Sequence, residues 1–152
     1  MPPEAFRFEE LAPHLYLQVF PQHIDDGELQ AFLAAIEREA PTLPRPMAWI
    51  ADVARIERAS SVQRRELAEF QKRMAPFDAE HCAGTAVVVR SPVVRGMVTA
   101  VYWLSPPVYP HAIVGSLDEG LRFVDERLAE RGVALDVERA RRGLERGGRP
   151  LF

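Results

Sequence analysis

The stretch "SPVVRGMVTAVYWLSPPVYP", Ser91 to Pro110, decides how this chain is read. Between a Ser-Pro entry and a Ser-Pro-Pro exit its only charge is Arg95. So apolar a run is a membrane segment, a core helix, or a surface that waits for a partner. Val93 to Leu104 falls short of the roughly 20 apolar residues that span a bilayer as a helix. Ser91 as N-cap and Pro92 at the first helical position make a helix entry. Ser105-Pro106-Pro107 forbids continuation. The reading is therefore a helix over 92–104. Its valines and Thr99 are mediocre helix formers, so burial must supply much of its stability.

Successive residues of a helix lie 100° apart. Val93, Val94, Met97, Ala100, Val101 and Leu104 fall on one face, which is expected to pack on a sheet. Arg95, Gly96, Thr99, Tyr102 and Trp103 fall on the other. An ordinary solvent face is rich in Glu, Lys and Arg, whereas two aromatics, an arginine and small residues have the composition of a binding hot spot. Three roles stay open for this face. A neighbouring helix or the C-terminal tail covers it; or Arg95, Thr99, Tyr102 and Trp103 meet a protein partner or a second copy; or it walls a small-ligand site.

The segments on either side alternate in type. "FRFEEL" (6–11) and "HLYLQVF" (14–20) read as a strand pair, and "MAWIADV" (47–53), "GTAVVVR" (84–90) and "HAIVGS" (111–116) as further strands. The middle two are apolar almost throughout, as in strands buried on both faces. Helices are expected near 26–40, 61–75, 92–104 and 117–131, with Asp25/Glu28 and Ser116/Glu119 as capping boxes, and with Ser60 or Ser61 as the cap of the second, Gln63 being the box partner open to Ser60. Pro76 is expected to end or kink the second. Residues 135–152 look like one short helix and a frayed tail, after a single domain over 1–134. Strands alternating with helices of crossover length predict an α/β fold with a mixed sheet of four or five strands and about four flanking helices.

Composition narrows the function. The chain has 152 residues, 47% hydrophobic and 27% charged, and a net charge of −3, which gives no field to draw it onto nucleic acid. Cys82 is the only cysteine, so no internal disulfide forms. "MPPEAFRFEE" lacks the pattern of a secretory leader. The expected location is cytoplasmic, without stable membrane insertion. His14, His23, His81 and His111 are scattered, and no glycine-rich phosphate loop or nucleophile elbow is present. No metal, cofactor or catalysis is expected. Asp52 ends a central strand, where α/β sheets place functional groups. With Arg55, and with Arg58, Arg64, Arg65 and Arg95 in reach, it is a candidate anion or partner site. Its bland alternative is to cap the amides of the next loop.

The order of elements, "WIADVARIERASSVQRRELAEF" and then "SPVVRGMVTAVYWLSPPVYPHAIVGSLDEGLRFVDERL", resembles the bacterial SpoIIAA-like group of STAS domains. That group is related to anti-sigma-factor antagonists and distantly to CRAL-TRIO lipid-exchange domains. The similarity spans roughly residues 6 to 131. It implies a small α/β regulatory or scaffolding module that acts by protein contact, without catalysis. The alternative it implies is a carrier of a small apolar ligand, held between the sheet and the 92–104 helix by Met97, Val101 and Trp103. Anti-sigma-factor antagonists carry a phosphorylatable serine at the start of the second helix, where Ser60 and Ser61 stand here. Ala59 replaces the family's acid and Val62 to Arg64 its glycine turn. Those glycines permit close backbone approach, and their loss speaks against a phospho-switch.

Overall fold

The computed structural model describes residues 5–152; residues 1–4, on which the reading against a leader partly rests, lie outside it. Two strands open the fold. β1 (Arg7–Ala12) and β2 (Leu15–Val19) pair antiparallel around a turn in which His14 has φ of 76°. Helix α1 (Asp26–Glu39) leads to β3 (Met47–Asp52), α2 (Ser61–His81) to β4 (Cys82–Val88), and α3 (Pro92–Leu104) to β5 (His111–Val114). Helices α4 (Leu117–Glu130) and α5 (Val137–Arg146) follow, and then a two-residue strand, β6 (Arg149–Pro150). The six-stranded sheet has the order β5-β4-β3-β2-β1-β6. Strands β2 to β5 run parallel to one another, while β1 is antiparallel to both of its neighbours. The chain is α/β, with five helices around a mixed sheet among the described residues.

The apolar runs of β3 and β4 dictate this layering. All of β4 and the first four residues of β3 are buried, so both sheet faces need cover. Helices α1, α2 and α3 cover one face, over an aromatic layer that includes Phe8, Phe20, Phe32 and Trp49. Helices α4 and α5 cover the other, with Leu121, Val124, Leu128 and Ala140 against Ile50, Ala86 and Val88.

Short polar side chains set where the helices begin. Asp25 accepts from Glu28 N at 3.0 Å, Ser91 from Val94 N at 3.2 Å and Ser116 from Glu119 N at 3.2 Å. Ser60 alone closes a full capping box, accepting from Gln63 N while Gln63 Oε1 accepts from Ser60 N. At Ser116 the return arm is displaced: Glu119 accepts from Gly115 N instead.

Three expectations need correction. The sheet has six strands, because the tail is not frayed: β6 pairs with β1, Gly148 N donates to Glu9, and Leu151 N donates to the Phe8 carbonyl at 2.7 Å. The edge of β1 supplies the free backbone groups that order it. Phe152 meets the Phe32 ring edge-on, so the tail lies on α1 and not on α3. Finally, α2 does not stop at Pro76 but continues to His81. Pro76 is on the exposed side, where the carbonyl it leaves unbonded can be hydrated. The cap roles of the two serines give a first test. Ser60→Ala is expected to cost about 1 kcal/mol in denaturant unfolding, and Ser61→Ala less than about 0.5 kcal/mol. A larger loss at Ser61 would contradict the assignment.

Candidate functional site

Parallel register lines up two rows of side chains on the sheet face beneath α2 and α3. One row runs Tyr16, Trp49, Thr85, and the other Gln18, Ala51, Val87. Alternate residues of a strand share a face, so these rows form a floor. Ala51 is the small residue at its centre.

The helices do not close onto that floor. α3 packs principally against α2, and two polar contacts fix it there. The Ala59 N–H points to Met97 Sδ at 3.0 Å, and Gln71 Nε2 donates to the Ser105 carbonyl at 2.9 Å. Between these contacts a cavity of about 140 Å³ remains. Its floor is Trp49, Ala51, Thr85 and Val87; its roof is Val94, Met97, Val98 and Val101; its wall is Leu67, Phe70 and Met74 of α2. Tyr102, Tyr109 and Asp78 also border it, and so does Arg64. Arg64 and Asp78 sit 14 positions apart on α2, which is roughly 21 Å along the axis. The cavity thus has a basic and an acidic end. An apolar space with few polar groups is the usual form of a small-ligand site.

Asp78 is the polar group with the least ordinary surroundings. It is 8% exposed, and burial alone pushes its carboxyl up to about 7, with no cation or donor among the described residues to offset it. Burial also raises the phenols of Tyr102, to about 12, and Tyr109. Cys82 is buried, its thiol is pushed up to about 12 by desolvation, and Sγ lies 3.6 Å from Thr85 Oγ1. It is a packing residue and not a thiolate. Among the described residues no group of three or more His, Cys, Asp and Glu converges to hold a metal ion.

The contact face read from the helical wheel is split. Trp103 is 81% exposed, and Arg95 is exposed as well. Tyr102 turns inward to the cavity, and Thr99 Oγ1 donates to the Arg95 carbonyl at 2.9 Å. Conversely, Val93 and Leu104, expected on the packed face, are 64% and 53% exposed. The inner stripe is Val94, Met97, Val98, Val101 and Tyr102, about one residue further round than the apolar count suggests, because α3 faces α2 and the cavity together. Trp103 does not line the cavity; Met97 and Val101 do.

Ser60 is the N-cap of α2 and Ser61 follows it, exposed. Asp52 Oδ1 accepts from Ala54 N at 3.1 Å, so it caps its loop, as the bland reading holds. Arg55 is exposed, and Arg64 donates to the Ala59 carbonyl. Asp52 and Arg55 form no ion pair among the described residues. The residue that sequence reasoning missed is Asp78. Its signal was present, since Leu67, Phe70, Met74 and Asp78 share one helical stripe. Ending the helix at Pro76 hid it.

No protein-family model matches the chain, and no curated protein matches its sequence. No helix among the described residues is long and apolar enough to cross a membrane.

The raised Asp78 makes a pH-dependent prediction. The folded state holds its proton up to about pH 7, whereas the unfolded carboxyl ionises near 3.8. The contribution to stability is therefore full below pH 3.8, falls as pH rises, and is lost above about 7. Asp78→Asn does not titrate. Its gain over the parent is expected to grow from near zero at pH 4 to at most roughly 4 kcal/mol at pH 8. A gain independent of pH, measured by denaturant unfolding, would contradict the burial argument.

Proposed function

We propose that this protein is a non-catalytic binding module of the STAS, SpoIIAA-like type that holds a small, mainly apolar ligand between its sheet and the α2–α3 pair. The observation that carries the reading is the apolar cavity of about 140 Å³ over Ala51. An apolar cavity of similar size, about 150 Å³, admits benzene or xenon, so the ligand has about one ring's bulk. A carrier is favoured over a contact module because Tyr102, on the candidate contact face of α3, borders the cavity. The absence of catalysis is supported by the protonated Cys82 thiol and by histidines engaged elsewhere, His81 with Arg45 and His14 with the Pro46 carbonyl.

Toluene serves as the probe. Its addition to the full chain is expected to shift the amide resonances of Ala51, Val87 and Val101. Ala51→Phe fills the floor and should abolish the shifts while the protein still melts cooperatively. Unchanged resonances in the parent, or unchanged binding in Ala51→Phe, would overturn the reading.

One observation favours a second role on the same helix. Trp103, Leu104 and Val93 leave an apolar strip exposed on α3, and the C-terminal tail does not cover it. A protein partner or a second copy would bury it. Trp103→Ala is expected to weaken self-association by about 2 kcal/mol or more, as aromatic hot spots do, with little change in Tm. A monomer at every concentration tested by sedimentation would rule out self-association through this strip.

A further inference from the structure

We propose that the ligand of this cavity is a small amine, whose apolar body lies over Ala51 and whose ammonium group pairs with the Asp78 carboxylate beside Tyr102 and Tyr109. The inference rests on the cavity being a binding site, and it adds the chemical class of what binds there.

A buried carboxyl without a partner is costly, and its presence calls for an explanation. Asp78 sits on the inner stripe of α2 at a position where a leucine would pack without that cost. The groups around it do not supply a partner. From α2 come Glu80 and His81, from β4 Cys82, from α3 Tyr102, and from the loop after α3 Tyr109. The two nearby cations are committed elsewhere. Arg45 contacts His81, donates to the Pro41 carbonyl and stacks over Phe77, while Arg131 at the end of α4 donates to the Glu80 carbonyl. Arg64 lies at the far end of the cavity and is bonded to the Ala59 carbonyl. None of the described residues supplies a positive partner to Asp78, and a bound ammonium group would supply one.

The rest of the cavity suits an organic cation better than a metal ion. Its walls are mainly aromatic and aliphatic, and Asp78 is the one acidic residue among those that line it, whereas a metal needs several ligands. Aromatic rings attract an ammonium group through their faces, and Trp49, Phe70, Tyr102 and Tyr109 all border the space. The protein has already met the cost of desolvating the carboxylate. A cation that returned Asp78 to its ordinary range would recover up to about 10³ in affinity, three pKa units' worth. Desolvation of the ammonium group takes back part of this.

The test compares benzylamine, benzyl alcohol and toluene on the full chain by calorimetry at pH 8 and pH 5, with melting curves as the folding control. Benzylamine is expected to bind at least tenfold more tightly than toluene at pH 8, with benzyl alcohol between them. The advantage should fall by tenfold or more at pH 5, where Asp78 is protonated. Asp78→Asn should lose the advantage at pH 8 and keep its affinity for toluene. Toluene binding with no preference for the amine, or a preference that survives Asp78→Asn, would overturn the inference and leave the apolar-ligand reading standing. Failure of all three probes would remove both.

Discussion

Burial of β3 and β4 on both faces is the constraint on which the rest of the structure depends. A parallel pair so apolar has to be covered twice, and the helical crossovers that parallel strands require supply the cover. The face under α4 and α5 is filled by aliphatic side chains in direct contact with the strands. The opposite face is different. Its aromatic layer fills the side under α1, but over Ala51 a cavity remains beneath α3.

Helix α3 explains why that space persists. Its valines give it little helical propensity, so it survives by packing. It finds that packing along α2, and it is pinned near its middle by Met97 and at its exit by Ser105. Val94, Met97, Val98 and Val101 on its inner side border the cavity. The result combines two features that lower stability, an unfilled volume and a buried acid. Both stand in one place, and both would be relieved by one bound molecule. Departures from a well-filled, fully paired interior are where function is expected to reside.

Much of this was legible in the sequence. Asp25, Ser60, Ser91 and Ser116 each announced a helix start, because capping depends on a short polar side chain at one position and on little else. The Ser105-Pro106-Pro107 exit was equally local. The parallel core followed from the unbroken apolar runs of 47–53 and 84–90. What escaped depended on distant partners. β6 is two residues without any strand pattern, ordered by the free edge of β1 and by Glu9. Tyr102 and Trp103 are neighbours 100° apart, and only the placement of α2 decides which one turns inward. Pro76 reads as a stop from propensity alone, yet it sits where α2 tolerates a missing hydrogen bond. That single misjudged boundary concealed Asp78, and with it the acidic end of the site.

The central claim is that α3 roofs a mainly apolar cavity over the sheet. Crystals pressurised with xenon test it most directly, since xenon enters apolar cavities of this size without needing a polar partner. The account predicts a xenon atom over Ala51, bounded by Trp49, Val87 and Val101, with α3 held by Ala59 and Gln71 as described. A crystal without xenon at that place, and with the α3 side chains in van der Waals contact with Ala51 and Val87, would contradict it.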